Sequence, residues 1–289
     1  MLHRQRTILR LLTAADEAVS ATQFHKFVFL LREETFLGRD TSFYEFLPYK
    51  FGPYSFSAQR EIESLTAQGY VELSASSLSV TSLGRLEAGY VDSDTSRAVL
   101  AIIAKYGKAP LRALLKDVYG RYPWYACGSE LKDLVPANLP MPAAAPIAVY
   151  TAGYEDCSVD GFFNKLLRAG IRRVIDVRAN PVSRKYGFAR SSLSGLGGKL
   201  GLSYCHCPQL GISSAKRRDV HTPSEFRELF LYYERQILPA KSDAVAEVTE
   251  LVREMPSVLV CMEREAVDCH RSRLAARIAS LTNMDIVHL

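Results

Sequence analysis

The chain has 289 residues, a formal net charge of +5 and hydrophobic residues at 48% of its positions. This hydrophobic content is typical of folded proteins and excludes a largely disordered chain. No apolar run reaches the roughly 18 residues that a membrane-spanning helix needs, and no small-residue cleavage site follows the N-terminal segment. We therefore expect a soluble, cytoplasmic protein with no membrane partner, whose six cysteines are reduced thiols.

The first part of the chain shows the periodicity of helices followed by a hairpin. Apolar spacing predicts two N-terminal amphipathic helices, the second capped near Ser20 or Thr22. A third helix is predicted over 59–68, and alternation after it predicts a hairpin with its turn at 74–77. Three helices and a hairpin are the order of a winged helix-turn-helix. We therefore predict a winged-helix domain with extra helices over residues 1–134.

Four segments of this part, KFVFLL, YKFGPYS, LTAQGYVE and YPWYACGS, resemble the winged-helix domain of YwgA-like bacterial proteins. The resemblance implies a module that binds DNA or docks a protein, a second copy of the chain included. In the third predicted helix, Arg60 is outnumbered by Glu61 and Glu63, whereas helices that read bases carry basic and amide side chains. Docking or homodimerisation is therefore at least as well favoured as DNA binding.

The segment 135–146, VPANLPMPAAAP, contains four prolines. Proline at this density continues neither a helix nor a central strand, so the segment is interpreted as a semi-rigid linker. The linker separates the first domain from a second one over residues 147–289.

Strands and helices alternate in this second domain. Apolar strands are predicted over 147–154, 173–178, 203–207 and 258–264 and at the end of the chain. Helices are expected over 159–169, 190–200, 224–238, 243–254 and 270–280. This alternation predicts a Rossmann-like, three-layer α/β domain with a mainly parallel sheet of about five strands.

Polar residues follow the predicted strands. The carboxyl ends of parallel strands meet at one edge, where open α/β sheets bind ligands. We therefore predict one basic pocket at this edge. Its expected catalytic residues are Glu263, Cys269 and His270, and its expected phosphate- or substrate-binding residues are Arg178, Asn180, Ser183, Arg184, Arg271, Tyr154 and Tyr186.

The residue types suggest their roles. The planar guanidinium groups of the arginines can each donate two hydrogen bonds to a phosphate. Glu263 would act as a general base or orient water, with Cys269 or His270 as its partner. Cys269 precedes a predicted helix among cationic groups, which predicts a lowered thiol pKa. The alternative for Arg178 is a structural salt bridge with Asp176 or Glu263.

Four ordered motifs, TAGYE, IDVRANPVSRKYGF, YCHCPQLG and CMEREAVDCHRSRLA, resemble the family of domain of unknown function 488 (DUF488) over roughly residues 147–289. The resemblance implies a fold and a site but no settled reaction. The positions that match the motifs are Arg178, Pro181, Ser183, Arg184, Glu263, Cys269, His270 and Arg271.

Two other chemistries are disfavoured. Rhodanese and cysteine phosphatase loops need arginine six positions after the cysteine, but Ala275 stands there. A zinc site could draw on six residues: Cys205, His206, Cys207, Cys261, Cys269 and His270. Structural zinc usually draws on ligand pairs two to four residues apart, and Cys205 and Cys207 are closer than that. We therefore predict no metal and no cofactor.

These observations favour a nucleic-acid- or nucleotide-directed protein. The first hypothesis is a hydrolase-type enzyme that cleaves a phosphodiester or N-glycosidic bond of DNA, RNA or a nucleotide. The alternative is a protein without catalysis, either a ligand-sensing winged-helix DNA-binding regulator or a partner-docking protein.

Overall fold

The computed structural model describes residues 1–74, 77–139, 143–217, 220 and 222–289. The chain divides into two compact units, Met1–Met141 (unit 1) and Pro142–Leu289 (unit 2). The division falls inside the proline-rich stretch, of which residues 140–142 lie outside the described ranges. Within those ranges, no helix is both long and apolar enough to cross a bilayer.

Unit 1 is mainly helical, with a three-stranded antiparallel sheet in the order β1-β5-β4 and a separate hairpin of β2 and β3. Its elements are α1 (His3–Ala15), β1 (Val19–Ser20), α2 (Ala21–Glu34), β2 (Leu47–Tyr49), β3 (Gly52–Tyr54), α3 (Phe56–Ala67), β4 (Val71–Ser74), β5 (Ser77–Val80), α4 (Ser82–Ala88), α5 (Ser93–Tyr106) and α6 (Leu111–Arg121).

Local side-chain chemistry sets these helix starts. The Ser20 hydroxyl accepts a hydrogen bond from the Gln23 backbone N–H at 3.2 Å, which confirms Ser20 as the predicted cap of α2. Ser55 caps α3 in the same way, so this helix begins earlier than the predicted residue 59. Residues 75–76 of the predicted hairpin turn lie outside the described part of the chain.

Unit 2 is a mixed α/β unit with a five-stranded parallel sheet in the order β10-β6-β9-β7-β8. Its elements are β6 (Val149–Gly153), α7 (Val159–Arg168), β7 (Arg173–Asp176), α8 (Arg190–Lys199), β8 (Ser203–His206), α9 (Ser214–Arg217), α10 (Pro223–Tyr232), α11 (Leu238–Ala240), α12 (Ser242–Glu254), β9 (Ser257–Cys261), α13 (His270–Thr282) and β10 (Ile286–His288). The parallel sheet of about five strands is thus confirmed.

Helices cover both faces of this sheet. Every residue of β6 and of β9 is buried, as expected for strands packed on two sides. On one face, Val149, Ile175 and Leu259 belong to the hydrophobic core that includes the inner sides of α12 and α13. Because parallel crossover connections are right-handed, the helices that lead from β6 to β7 and β8 lie on the opposite face.

The connections place a crevice between β6 and β9. From β6 the chain crosses to β7 on one side, whereas from the neighbouring β9 it returns to β10 on the other. At such a switch in direction the loops after two adjacent strands diverge to opposite faces, and the gap between them is the usual ligand site of open α/β sheets. The segments after Gly153 and after Cys261 border this gap.

Gly153 allows these two segments to approach each other closely. A Cβ atom at this position would collide with the backbone carbonyl of Glu263. The Tyr154 N–H also donates to the Met262 carbonyl at 3.0 Å. The loop that carries Glu263 is therefore fixed against the end of β6.

We expect Gly153→Ala to lower the free energy of unfolding of unit 2 by about 1–3 kcal/mol, because a methyl group forced against backbone cannot be relieved by side-chain rotation. The matched control is Gly195→Ala on α8, where nothing lies within 4 Å of the added Cβ. Alanine should there raise stability by up to about 1 kcal/mol.

Denaturant unfolding measures both changes. Fluorescence of Trp124, the single tryptophan, reports on unit 1, and far-ultraviolet circular dichroism adds the signal of unit 2. A Gly153→Ala protein as stable as the parent would show that the Glu263 loop is not held against β6.

Candidate functional site

A buried ion pair lies at the carboxyl end of β7. Arg178 is 6% exposed and Asp176 is fully buried. The guanidinium donates to both oxygens of Asp176, from Nε at 2.8 Å and from Nη2 at 2.5 Å. Burial alone would lower the pKa of Arg178, but the hydrogen bonds and charge of Asp176 outweigh it and raise the pKa.

Neighbouring strands complete this network. Arg178 Nη1 donates to the Tyr154 hydroxyl at 2.7 Å and to the Phe188 carbonyl at 2.9 Å. The Tyr204 hydroxyl donates to Asp176 Oδ2 at 2.8 Å. The structural salt bridge considered as the alternative for Arg178 is therefore formed, with Asp176 as the partner. The expected contact of Arg178 with phosphate would have to compete with these bonds.

Arg271 also binds protein groups. This side chain is 1% exposed, and its Nη1 and Nη2 donate to the backbone carbonyls of Glu263 at 2.5 Å and of Arg264 at 2.9 Å. These bonds hold the loop between β9 and α13 to the first turn of α13. Arg271 thus positions the Glu263 backbone.

Two thiols, an imidazole and a carboxylate meet under this loop. The Cys269 thiol donates to Glu263 Oε2 at 2.9 Å. His270 Nδ1 lies 3.7 Å from Cys261 Sγ and 3.8 Å from Cys269 Sγ. Cys261, Cys269 and His270 are all buried, and the potential ligand atoms of these three residues lie within 4.8 Å of one another. We call these three residues the thiol–imidazole cluster; it is the group at this edge that could hold a metal ion.

The two thiols differ in acidity. The neighbouring Cys269, followed by the charge and hydrogen bond of His270, lowers the pKa of Cys261 to about 5. Burial raises the pKa of Cys269 well above its usual range, and the neighbouring Cys261 raises it further. The lowered pKa expected for Cys269 is therefore wrong, because the helix N-terminus and Arg271 do not compensate for complete burial beside a second thiol and a carboxylate. The acidic thiol is Cys261.

A cavity of about 990 Å³ opens at the crevice between β6 and β9. Its wall combines aromatic side chains from α10, arginines, and carboxylates from the two loops. The lining residues that matter below are Glu263, Phe226, Phe230, Arg227, Arg264 and Arg273. Carboxylates, including Glu155 and Asp156 after β6, outnumber arginines in this lining, so the cavity is mixed in charge and differs from the basic pocket expected from the sequence.

The remaining predicted substrate residues lie on the segment after β7. Asn180, Arg184 and Tyr186 are exposed, and Ser183 is half-buried. The Ser183 hydroxyl accepts from the Lys185 N–H at 3.1 Å. None of these four residues lines the described cavity. Tyr154 is buried and stacks on Phe188 at 4.2 Å, so its ring is not open to a ligand base.

Sequence reasoning underrated Cys261 and missed the α10 side chains of the cavity. The sequence disfavoured Cys261 as a zinc ligand, because the spacing of the candidate cysteines does not fit structural zinc. The sequence feature that pointed to Cys261 was its spacing of eight positions from Cys269. This spacing becomes informative in the structure, where Arg271 binds backbone carbonyls of the intervening loop and the two thiols lie near the same imidazole. Phe226 and Arg227 carried no signal, since α10 enters this edge from a distant part of the sequence.

Unit 1 contains a separate cavity of about 290 Å³. His25 and Lys26 line it, and both are almost fully buried. Burial lowers the pKa of Lys26 to about 7, and its Nζ donates to the Pro53 carbonyl at 2.7 Å. Burial and the adjacent Lys26 lower the pKa of His25 to about 3. Burial therefore shifts both side chains towards their uncharged forms.

The buried ion pair at β7 predicts that replacing Asp176 lowers the free energy of unfolding much more than replacing a surface aspartate. Asp176→Asn leaves the buried Arg178 charge without a counter-charge, so we expect a loss of about 3–5 kcal/mol. Asp156 pairs with Arg264 at 3.3 Å on the surface, with both side chains about two-thirds exposed, and Asp156→Asn should cost at most about 1 kcal/mol. Native-state hydrogen exchange of the backbone amides of β7 and β9 measures the stability loss in each of the two variants. Equal losses would contradict the structural role of the pair.

Comparison with known proteins finds a similarity that covers much of the site. No curated protein matches the chain. Residues 158–278 match the family described as "Domain of unknown function DUF488". The match covers the Asp176–Arg178 pair, the thiol–imidazole cluster and Arg271, and it does not reach unit 1, whose resemblance to the YwgA-like winged helix stays a prediction. The stretch that builds the candidate site is thus similar to DUF488 domains.

Proposed function

We propose that unit 2 is a hydrolase-type domain that acts on a nucleotide or on a nucleotide unit of nucleic acid. The observation that carries this proposal is the position of Glu263. Its side chain lines the cavity at the switch point of the sheet, and it accepts a hydrogen bond from a buried thiol on its inner side. A carboxylate with a fixed inner partner and an accessible outer side is suited to orient an attacking water.

The cavity also offers groups that suit a nucleotide. Its volume of about 990 Å³ is at the upper end of the roughly 300–1,000 Å³ of small-molecule sites. Phe226 is 39% exposed and offers a ring face for a base. Arg227, on the same helix, is exposed and has no ion pair with another described residue, so its guanidinium is available for a phosphate.

The reaction that these groups support is attack by water. Glu263 accepts a proton from the water while the oxygen forms a bond to phosphorus or to the anomeric carbon of the sugar. The bond to the leaving group breaks, and the leaving group departs with its electron pair and takes up a proton. Arg271 acts as a positioning residue in this proposal, because it holds the backbone of Glu263.

For unit 1 we propose a winged-helix module that docks a protein partner or a second copy of the chain. The exposed side of α3 supports docking over DNA reading. Gln59 donates to Glu63 at 3.2 Å, and Arg60 lies 4.0 Å from the same carboxylate. The two groups that could contact bases are thus engaged by an acidic side chain that would repel phosphate.

The hydrolase proposal predicts that Glu263→Gln lowers turnover by about 10²–10⁴-fold, the usual contribution of a general base. The substrates are a panel of nucleotides and short oligonucleotides, with product formation followed by chromatography. Glu250→Gln on α12, where the side chain pairs with Arg253 on the surface, is the matched control and should keep parental turnover.

Ligand-induced thermal stabilisation separates catalysis from sensing. A nucleotide that stabilises the parent protein but yields no product with either parent or variant would support the ligand-sensing alternative and overturn the hydrolase assignment.

Arg227→Ala should raise the KM more than it lowers kcat, since this arginine would bind the substrate away from the bond that breaks.

The docking proposal predicts that unit 1 adds no DNA binding, so any retardation of random duplex DNA by the full chain at low salt, where phosphate contacts are strongest, should come from unit 2 and be reduced in Arg227→Ala. Size-exclusion chromatography with light scattering measures self-association in parallel. A complex that the parent and Arg227→Ala retard equally, and that is lost steeply as salt rises, would place unit 1 among DNA-binding modules instead.

A further inference from the structure

The thiol–imidazole cluster has the spacing of a metal site. His270 Nδ1 lies 3.7 Å from Cys261 Sγ and 3.8 Å from Cys269 Sγ. Zinc–sulfur bonds of about 2.3 Å and zinc–nitrogen bonds of about 2.0–2.1 Å at tetrahedral angles place sulfur and nitrogen ligands about 3.5 Å apart. The two nitrogen–sulfur distances come within a few tenths of an ångström of that value, and all three ligand atoms lie within 4.8 Å of one another, so side-chain shifts of about an ångström or less would bring them into a zinc geometry.

The imidazole is in the tautomer that a metal requires. His270 Nε2 lies 3.2 Å from the Val177 carbonyl oxygen, which can only accept a hydrogen bond. Nε2 therefore carries the ring proton in the neutral imidazole, and Nδ1 presents its lone pair to the sulfurs. A metal-bound histidine is typically oriented in this way, with its second nitrogen donating to a carbonyl or carboxylate.

The charges around the cluster are compatible with a divalent ion. Two thiolates would neutralise it, and the Glu263 carboxylate would then be balanced by Arg271. Arg271 is 1% exposed; its two hydrogen bonds go to backbone carbonyls of the Glu263 loop, and its Nε has no hydrogen-bond partner among the described residues. A buried guanidinium next to this loop is consistent with negative charge at the site.

The geometry points to a zinc site with Cys261, Cys269 and His270 as ligands. Thiolate and imidazole donors select a borderline-soft ion such as Zn²⁺ over Mg²⁺ or Ca²⁺, which prefer oxygen. Glu263 Oε2 lies 2.9 Å from Cys269 Sγ but does not belong to the group of mutually close ligand atoms. The carboxylate is thus placed beside the ion's fourth position.

This inference deepens the proposed hydrolase function and rests on it only for the role of that water. Three protein ligands and an open position are the pattern of catalytic zinc, which lowers the pKa of bound water. The water would lose its proton to Glu263, and the hydroxide oxygen would form the new bond to the substrate while the leaving group departs with that proton.

The test begins with zinc in the full chain. Protein purified under reducing conditions and desalted should contain about one zinc per chain by elemental analysis, or bind one when zinc is added to chelator-treated protein. Cobalt in place of zinc should give sulfur-to-metal charge-transfer absorption and the strong visible bands of a tetrahedral ion. These signals require no substrate, so they are independent of whether the protein is a hydrolase.

Two ligand variants and a matched control identify the site. Cys261→Ser and Cys269→Ser should each weaken zinc binding by more than the roughly 10–100-fold that outer-shell changes cost. Cys207→Ser removes another buried thiol of unit 2 and should leave zinc binding unchanged.

Several outcomes would overturn the site. One is a reduced parent protein that binds neither zinc nor cobalt, and another is zinc that survives in both ligand variants or is lost in Cys207→Ser. A Cys261–Cys269 disulfide that forms in the presence of excess zinc would also refute it. If the ligand variants do not fold, the cobalt spectrum of the parent decides, because absorption without the charge-transfer bands would exclude thiolate ligation.

Discussion

The buried ion pair of Asp176 and Arg178 is the interaction on which the arrangement of unit 2 depends. Removing both charges from water costs several kcal/mol per ion, and the pair is tolerable only because its remaining polar atoms are also bonded. Those bonds reach Tyr154 after β6, Tyr204 on β8 and the carbonyl of Phe188. The requirement that a buried charge be fully satisfied therefore aligns the carboxyl ends of three strands, and it orders the segment between β7 and α8.

A second arginine, Arg271, fixes the loop that carries Glu263, the proposed general base. Arg271 binds backbone carbonyls of the loop after β9, and Gly153 lets the same loop lie against the end of β6. The Glu263 side chain is therefore carried on a backbone that is held from two sides, with a thiol bonded to its carboxylate. Such a support is what a group needs if it is to keep its geometry through a reaction. Arg178 and Arg271, both buried, thus bind protein groups and build the site.

The sequence predicted the fold of unit 2 well because its signals are local. The apolar strands, the helices between them and the Ser20 cap in unit 1 each depend on a few neighbouring residues, and the structure agrees with them to within a few positions. It also predicted that Glu263, Cys269 and His270 belong to one edge, since parallel strands end together. The sequence offered Asp176 as a salt-bridge partner of Arg178, and the structure forms this pair. The bonds of Arg178 to Tyr154 and to the Phe188 carbonyl, and the lowered pKa of Cys261, could not be predicted because they depend on residues distant in the sequence and on a folded loop. Contacts between distant residues decide which charges a buried group meets.

His25 and Lys26 make the folding of unit 1 a proton-releasing reaction. Burial lowers the pKa of Lys26 from 10.5 to about 7, so between these values the unfolded chain binds more protons than the folded one. Stability conferred on unit 1 by this residue therefore rises as pH increases through that window. The pKa of His25 is lowered from 6.5 to about 3, so this residue also makes the stability of unit 1 rise with pH, between about pH 3 and 6.5. Acidic buffers thus weaken unit 1, and mildly alkaline ones preserve it in storage and crystallisation.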